Sequence, residues 1–382
     1  ASFTPYFDQC VLVATTTDVL EIPKLFDLCA KYKVECYLLK DASILDGANN
    51  LLNFAAARNE SFSHITTTLA LWADSDDVIL EADGKKLRGL IEGIDSEMGG
   101  FFFPYEYAHD EYGTPTTIHE RERLVRMSVG WKWEGRLHET MTPNHPVPWQ
   151  RSDEVRIIHT AGYADKTERN LRILNIMYEE EPDNVRTWLS FGYQFYANHE
   201  WAKAVEWFRR FYQDPRGFLL ERWAAMTYEA RSLRAMQRPD EALRRDNAAM
   251  FLMPDLADSY FGVAESYLAM GQPAKAIEWA QVGLLKKRPT APLFLNELDY
   301  IFTPYQTLSI AHGALGQLEE AIGACESALL ARPRQKEILD NLVLYRAALE
   351  RKKDVDAYEQ LAPMRSDSER IWAAHSIKEG FQ

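Results

Sequence analysis

Apolar residues recur with two different periods along this 382-residue chain. Up to about residue 163 they come in short β-branched or aromatic runs, each ended by a polar turn and separated by stretches of helical spacing. Cys10–Ala14, Val34–Leu39, Thr68–Ala73 and Gly100–Tyr107 predict strands, and Pro23–Lys31, Leu51–Glu60 and Lys85–Ile94 predict helices. Such alternation predicts an α/β sheet. Ligands of these sheets bind beyond the carboxyl ends of strands, where Thr15–Asp18 and Asp74–Asp77 both sit. From about residue 183 the pattern is helical throughout, punctuated by Pro182, Pro215, Pro254, Pro289 and Pro333.

Four segments of that second half align on a 34-residue template of paired helices. The first carries Trp188, Gly192, Phe195, Ala204, Phe208 and Phe211, and the second Ala230, Leu233, Ala242, Ala249 and Pro254. The third carries Tyr260, Ala264, Tyr267, Gly271, Ala276 and Pro289, and the fourth Tyr305, Gly316, Ala321, Ala328 and Pro333. Small residues at the eighth and twentieth positions let two helices approach closely, and the aromatics fill the space between repeats. The pattern resembles the tetratricopeptide repeat, with Ile338–Leu349 as the helix that caps the last apolar face.

Composition narrows the function classes. Apolar residues are 46 % and charged residues 26 %, an ordinary globular mix. No run reaches the ~20 apolar residues of a membrane-spanning helix, and the start lacks a basic-then-apolar signal. Cys10, Cys29, Cys36 and Cys325 have no CxxC spacing, so reduced thiols and a cytoplasmic location are expected. Of the net charge of −14, residues 1–163 hold −10 (15 basic against 25 acidic). An acidic N-terminal half disfavours nucleic acid as a partner and suits an anionic ligand only through a cation.

Asp74-Ser75-Asp76-Asp77 sets three carboxylates in four residues directly after an apolar run. Hard oxygen ligands of this kind suit Mg²⁺ or Mn²⁺, and a solvated acidic turn is the equal alternative on the tetrapeptide alone. Around it lie Phe54-Ala-Ala-Ala-Arg-Asn59, Arg121-Glu-Arg-Leu-Val-Arg126 and Trp131-Lys-Trp-Glu-Gly-Arg-Leu-His-Glu139. Taken in order, these segments resemble glycosyltransferases of the GT-A fold, family 2 type, in particular bacterial and phage members that carry tetratricopeptide repeats. The resemblance implies a GT-A-like (Rossmann-like) α/β domain over 1–163, an all-α tetratricopeptide-repeat solenoid over 164–361 with its capping helix, and a tail over 362–382.

It further implies a metal-dependent, inverting transferase that uses a nucleotide-sugar donor, a UDP-sugar first, and a protein or other macromolecular acceptor. Asp74, Asp76 and His138 would hold Mn²⁺ or Mg²⁺. Asp18, Arg58, Asp74 and Asp77 would contact the donor, with Asp18 near the base and Arg58 near the phosphates. Glu139 would be the catalytic base or orient the acceptor, with Glu120 and Glu122 as the other acids in that stretch. Trp131 and Trp133 would stack on a sugar or pack beneath the site.

On the repeats, Arg186, Tyr193, Tyr196, Arg231, Arg234 and Phe261 fall on groove-facing positions. Aromatic and arginine side chains dominate binding hot spots, so these six fit an acceptor or partner groove. Packing against the transferase domain or against a second copy in a homo-oligomer is the equal alternative. The family turn before Asp18 has lost an acid, and the strand that opens the family's nucleotide pocket has no counterpart before Ala1. A chain truncated at its start is the simpler expectation. The second functional reading is a repeat scaffold whose transferase-like domain is inactive.

Overall fold

The computed structural model describes residues 2–16, 18–46, 50–110, 113–160, 167–286 and 295–361. The expected boundary at 163/164, Thr17, Pro289 and the 362–382 tail lie outside the described residues.

The first half is α/β, with three sheets among the described residues rather than the single one that strand–helix alternation suggests. Strands β1 (Val11–Ala14) and β2 (Glu35–Leu38) pair in parallel across helix α1 (Glu21–Lys31). Helix α2 (Phe54–Ser63) follows, its first turn capped by Asn53 Oδ1, which accepts from Ala56 N at 2.9 Å. A seven-stranded mixed sheet is built on a long antiparallel ribbon of β5 (Gly100–His109) and β6 (Pro115–Arg126). Short strands β3 (Leu69–Leu71), β4 (Asp77–Ile79), β9 (Trp149–Arg151) and β10 (Ile157–His159) complete most of it. Helix α3 (Glu81–Gly93) and hairpin β7 (Lys132–Glu134)–β8 (Thr140–Thr142) fill the intervening chain.

Leu124 and Val125, neighbours on β6, point to opposite faces and enter different cores. Leu124 joins Phe101, Phe103, Ile157 and Leu87 of α3, whereas Val125 joins Ala55 of α2 with Ala70, Trp72, Trp133 and Met141. The large sheet is therefore covered on both faces, which suits the nearly continuous apolar run of β5.

The second half is all-helical. Helix α4 (Thr167–Glu180) leads into four pairs, α5 (Val185–Ala197) with α6 (Trp201–Gln213), α7 (Leu219–Ala235) with α8 (Pro239–Leu252), α9 (Asp258–Ala269) with α10 (Pro273–Leu284), and α12 (Thr303–Ala314) with α13 (Leu318–Ala331). The long α14 (Lys336–Leu361) closes the array. The template's small residues are where helices touch: Ala204, Ala230, Ala242, Ala264, Ala276, Ala321 and Ala328 are fully buried. At Gly192 an added Cβ would stand 2.6 Å from the Phe208 ring, so only hydrogen fits there.

The two halves are stitched together. Leu137, at the tip of the β7–β8 hairpin, is buried among Ile173 and Leu174 of α4 and Phe191 of α5, and Arg136 forks onto Glu180 at 2.5 and 2.8 Å. Farther along, strand β11 (Leu295–Asn296) leaves the helical array to pair with Thr117–Ile118 of β6, and the one-turn helix α11 (Leu298–Ile301) follows it.

Candidate functional site

The acidic tetrapeptide forms a tight turn between β3 and β4. Asp77 N donates to Asp74 O at 3.0 Å, and Asp74 N donates to the Asp77 carboxylate at 2.9 Å, so the last acid of the motif closes its own turn. Strand β10 runs antiparallel to β4 with His159 opposite Asp77, and Thr160 donates to Asp76 O through both its backbone N (2.9 Å) and its hydroxyl (2.6 Å). That pairing brings a histidine some eighty residues away onto the acids. His159 Nδ1 stands 3.2 Å from Asp77 Oδ1 and 3.4 Å from Asp76 Oδ1.

Asp77 is wholly taken up by the protein. Its side chain has no exposed surface; Oδ1 accepts from the Tyr105 hydroxyl at 2.8 Å, and Oδ2 accepts from Arg123 Nη1 at 3.0 Å. Arg123 is itself fully buried, its guanidinium 3.8 Å from the Trp72 ring and 4.0 Å from that of Tyr105. A buried ion pair of this kind is expensive unless every partner is placed. Here Nη1 also donates to the Trp72 carbonyl at 3.2 Å, while Nε and Nη2, which have no hydrogen-bond partner, leave the rest of the charge to the two aromatic faces. Burial pushes the Tyr105 phenol well above its ordinary range, with Asp77 beside it adding to the effect against Arg123, so it stays a hydroxyl donor.

Asp74 turns the other way. Its Oδ1 accepts from Arg58 Nη2 at 2.7 Å, and Arg58 Nε donates to Glu139 Oε1 at 2.6 Å. Burial opposes ionisation of Asp74, but Arg58 and Arg123 outweigh it and hold the carboxyl below the usual range. Arg58 projects from α2 onto the Trp72 and Trp133 rings, at 4.4 and 5.1 Å, and Asn59 locks α2 to β7 through two 2.9 Å bonds with the Trp133 backbone.

Several expectations from sequence change in this light. The acids and histidine that converge among the described residues are Asp76, Asp77 and His159, with ligating atoms within 4.8 Å of one another, and neither Asp74 nor His138 belongs to that group. His138 has an exposed side chain on a backbone with φ +53° in the hairpin loop. Arg58 is spent on two carboxylates rather than left open for phosphates, and Asp77 presents no surface to a donor. Asp18 is exposed and closes the entry to α1, its Oδ1 accepting from Leu20 N at 2.8 Å. Trp133 is core, and Glu120 pairs with Arg151 at 3.1 Å. Sequence reasoning passed over His159, Tyr105 and Arg123. The available signal was a polar residue at the carboxyl end of the apolar run Ile157-Ile158, the same feature that singled out Asp74.

On the helical array, Tyr196, Arg231, Arg234 and Phe261 line one cavity of about 370 Å³. Arg231 pairs with Asp299 at 2.7 Å, Arg234 with Glu265 at 3.0 Å, and Arg186 with Glu221 at 3.3 Å. Tyr193 packs edge-on against Phe208 and Tyr228. These side chains make contacts within the helical half of the chain, and part of Arg231's partnership comes from the α11 segment.

No protein-family model matches the chain. It is 22 % identical over 169 residues to the SPbeta prophage-derived glycosyltransferase SunS of Bacillus subtilis (strain 168), and likewise to glycosyltransferase SunS of Bacillus phage SPbeta. The matched stretch is 41 % of this chain and 38 % of those proteins, so the chain spans well under half the length of the curated relatives it matches. Among solved structures it is similar to the Cut9–Hcn1 hetero-tetramer of the APC/C (18 % identity, 51 % of this chain and 36 % of that one, TM-score 0.40). It is also similar to TTC0263, a tetratricopeptide-repeat protein of Thermus thermophilus (17 %, 48 % and 91 %, TM-score 0.36). Low-identity, partial similarity to a glycosyltransferase is what the comparisons establish.

Proposed function

We propose that the chain is a metal-dependent glycosyltransferase of GT-A, family 2 type, which moves a sugar from a nucleotide-sugar donor, UDP-linked first, to a protein or other macromolecular acceptor held by its tetratricopeptide repeats. One observation carries the reading. Asp76 and His159 converge from the turn after β3 and the end of β10, and Asp77, Tyr105 and Arg123 lock the backbone beneath them. A locked scaffold under an exposed carboxylate and a neighbouring, nearly buried imidazole supports a metal site there. The partial similarity to SunS supports the transferase class.

The donor set fits Mn²⁺ or Mg²⁺: one carboxylate with about a third of its surface exposed, one imidazole, and a second carboxylate that positions them. A cation held by Asp76 and His159 would supply the positive charge that a leaving nucleoside diphosphate requires. Glu139 would accept the acceptor hydroxyl's proton, with Arg58 fixing its orientation through Oε1. A second reading, an interaction scaffold with an idle transferase-like domain, draws on the way Arg58, Asp74 and Glu139 satisfy one another.

Calorimetry with Mn²⁺ and UDP separates the two. The transferase reading expects Mn²⁺-dependent UDP binding that Asp76→Asn abolishes. Absence of any nucleotide binding by the native chain, with Mn²⁺ or Mg²⁺ present, overturns it in favour of the scaffold.

A further inference from the structure

The cavity on the helical array carries a charge imbalance that its own residues do not resolve. Four carboxylates line it, Asp246 from α8, Asp258 and Glu265 from α9 and Asp299 from the α11 segment, against two guanidinium groups, Arg231 and Arg234 of α7. Each arginine bridges two acids. Arg231 reaches Asp299 at 2.7 Å and Asp258 at 3.6 Å, and Arg234 reaches Asp246 at 2.5 Å and Glu265 at 3.0 Å. With every acid ionised, two negative charges are left over in a space of about 370 Å³.

An independent observation marks where the missing charge belongs. Asp246 is 1 % exposed, it lines the cavity, and while its Oδ2 takes Arg234, its Oδ1 has no hydrogen-bond partner. An unpaired buried carboxylate oxygen is costly, so the fold tolerates it only against a gain elsewhere. Gly262 makes room for the carboxylate itself, since a Cβ there would come within 2.4 Å of Oδ1. Burial raises the Asp246 carboxyl to about 7 and that of Asp258 to about 6, so Arg234 and Arg231 do not fully offset the lost hydration.

We propose that this cavity binds a protonated alkylamine, either the side chain of a lysine in a polypeptide or a free diamine. A divalent metal ion is disfavoured, because among the described residues only Asp76, Asp77 and His159 bring ligating atoms close enough together to share one. A guanidinium fork is disfavoured as well, since Asp246 offers one remaining oxygen rather than a bidentate edge. A compact ammonium with three rotating donors matches single oxygens on separate helices. Phe261 and Tyr196 give the alkyl stem and the cation apolar and aromatic surface. The site stands apart from Asp76 and His159 and depends on no transfer chemistry. If the acceptor of the proposed transferase is a polypeptide, a lysine of that polypeptide is what the cavity holds.

The test is calorimetry on the full chain without metal or nucleotide, using cadaverine and acetyl-Gly-Lys-Gly-amide as probes. At least one probe is expected to bind, tenfold or more weaker in Glu265→Gln, whose side chain is 32 % exposed and whose replacement is expected to leave the melting temperature near that of the native chain. Asp246→Asn should weaken it further, provided its melting temperature shows a folded protein. The N-acetyl-lysine form of the peptide should not bind. Cadaverine alone binding assigns the free amine as the source, and peptide binding assigns the polypeptide. Binding of neither probe at about 10 mM, a concentration that detects even weak affinity, or equal affinity in the native chain and in Glu265→Gln, overturns the proposal. Because the readout is amine binding, it is separate from any failure of Mn²⁺–UDP binding.

Discussion

Replacing Arg58 by methionine removes a charge that two carboxylates share while keeping most of the contact with Trp72 and Trp133. The two acids are not equivalent. Asp74 is 38 % exposed on its side chain and can turn to water, so its loss of a partner is screened. Glu139 is only 9 % exposed, and its Oε1 has Arg58 Nε as partner at 2.6 Å. Breaking a buried pair by deleting one member typically costs about 3–5 kcal/mol, because the other charge is left uncompensated. Arg58→Met is therefore expected to lose about 3 kcal/mol, and Glu139→Gln, which leaves Arg58 its bond to Asp74, distinctly less. The double variant should recover more than half of the Arg58→Met loss, since neither charge is then stranded. Urea unfolding followed by tryptophan fluorescence reads this directly, because Trp72 and Trp133 flank the guanidinium at 4.4 and 5.1 Å. With slopes of about 1–3 kcal/mol per molar urea, the midpoint should fall by about 1–3 M. A loss under about 1 kcal/mol in Arg58→Met, or a double variant no more stable than Arg58→Met, would refute the claim that Glu139 is held by charge.

Three other outcomes follow from the same structure. In Mn²⁺ titrations, His159→Ala should lose at least tenfold in affinity and His138→Ala little, since only the former stands by Asp76; the reverse order would restore the hairpin histidine as ligand. Burial, with Arg121 and Arg123 nearby, pushes the His119 imidazole down to about 3. Its folded-state value lies below the unfolded one near 6.5, so stability from this group is complete above pH 6.5 and is lost as pH falls towards 3, by at most about 1.4 kcal/mol per pH unit. Acid melts of His119→Gln should accordingly fall less steeply between about pH 6 and 4 than those of the native chain. Gly192→Ala should cost about 1–3 kcal/mol by driving a methyl into Phe208, whereas Gly323→Ala, with open space around its Cα, should cost nothing or stabilise α13 slightly.

Local periodicity sufficed for the helical half. A small residue at a fixed place in each repeat, such as Ala204, Ala242 or Ala276, has one structural consequence, close approach of two helices, and each is fully buried where the template set it. The early strands were legible for a similar reason, since β1, β2 and β5 are apolar runs with polar stops. Strand β6 was not. Its sequence Thr-Ile-His-Glu-Arg-Glu-Arg reads as a solvated stretch, and only the fold reveals that His119 and Arg123 are inward, made tolerable by Asp77, Tyr105 and Trp72. Charge pairing lies beyond local pattern altogether. Asp74 and Asp76 look alike in the tetrapeptide, yet one faces Arg58 from α2 and the other His159 from β10. The residue types that carry the chemistry were visible along the chain, but which histidine meets which acid depends on strand register. Register is set by packing over the whole sheet, and the antiparallel alignment of β10 with β4 brings His159 rather than His138 to the metal-type cluster.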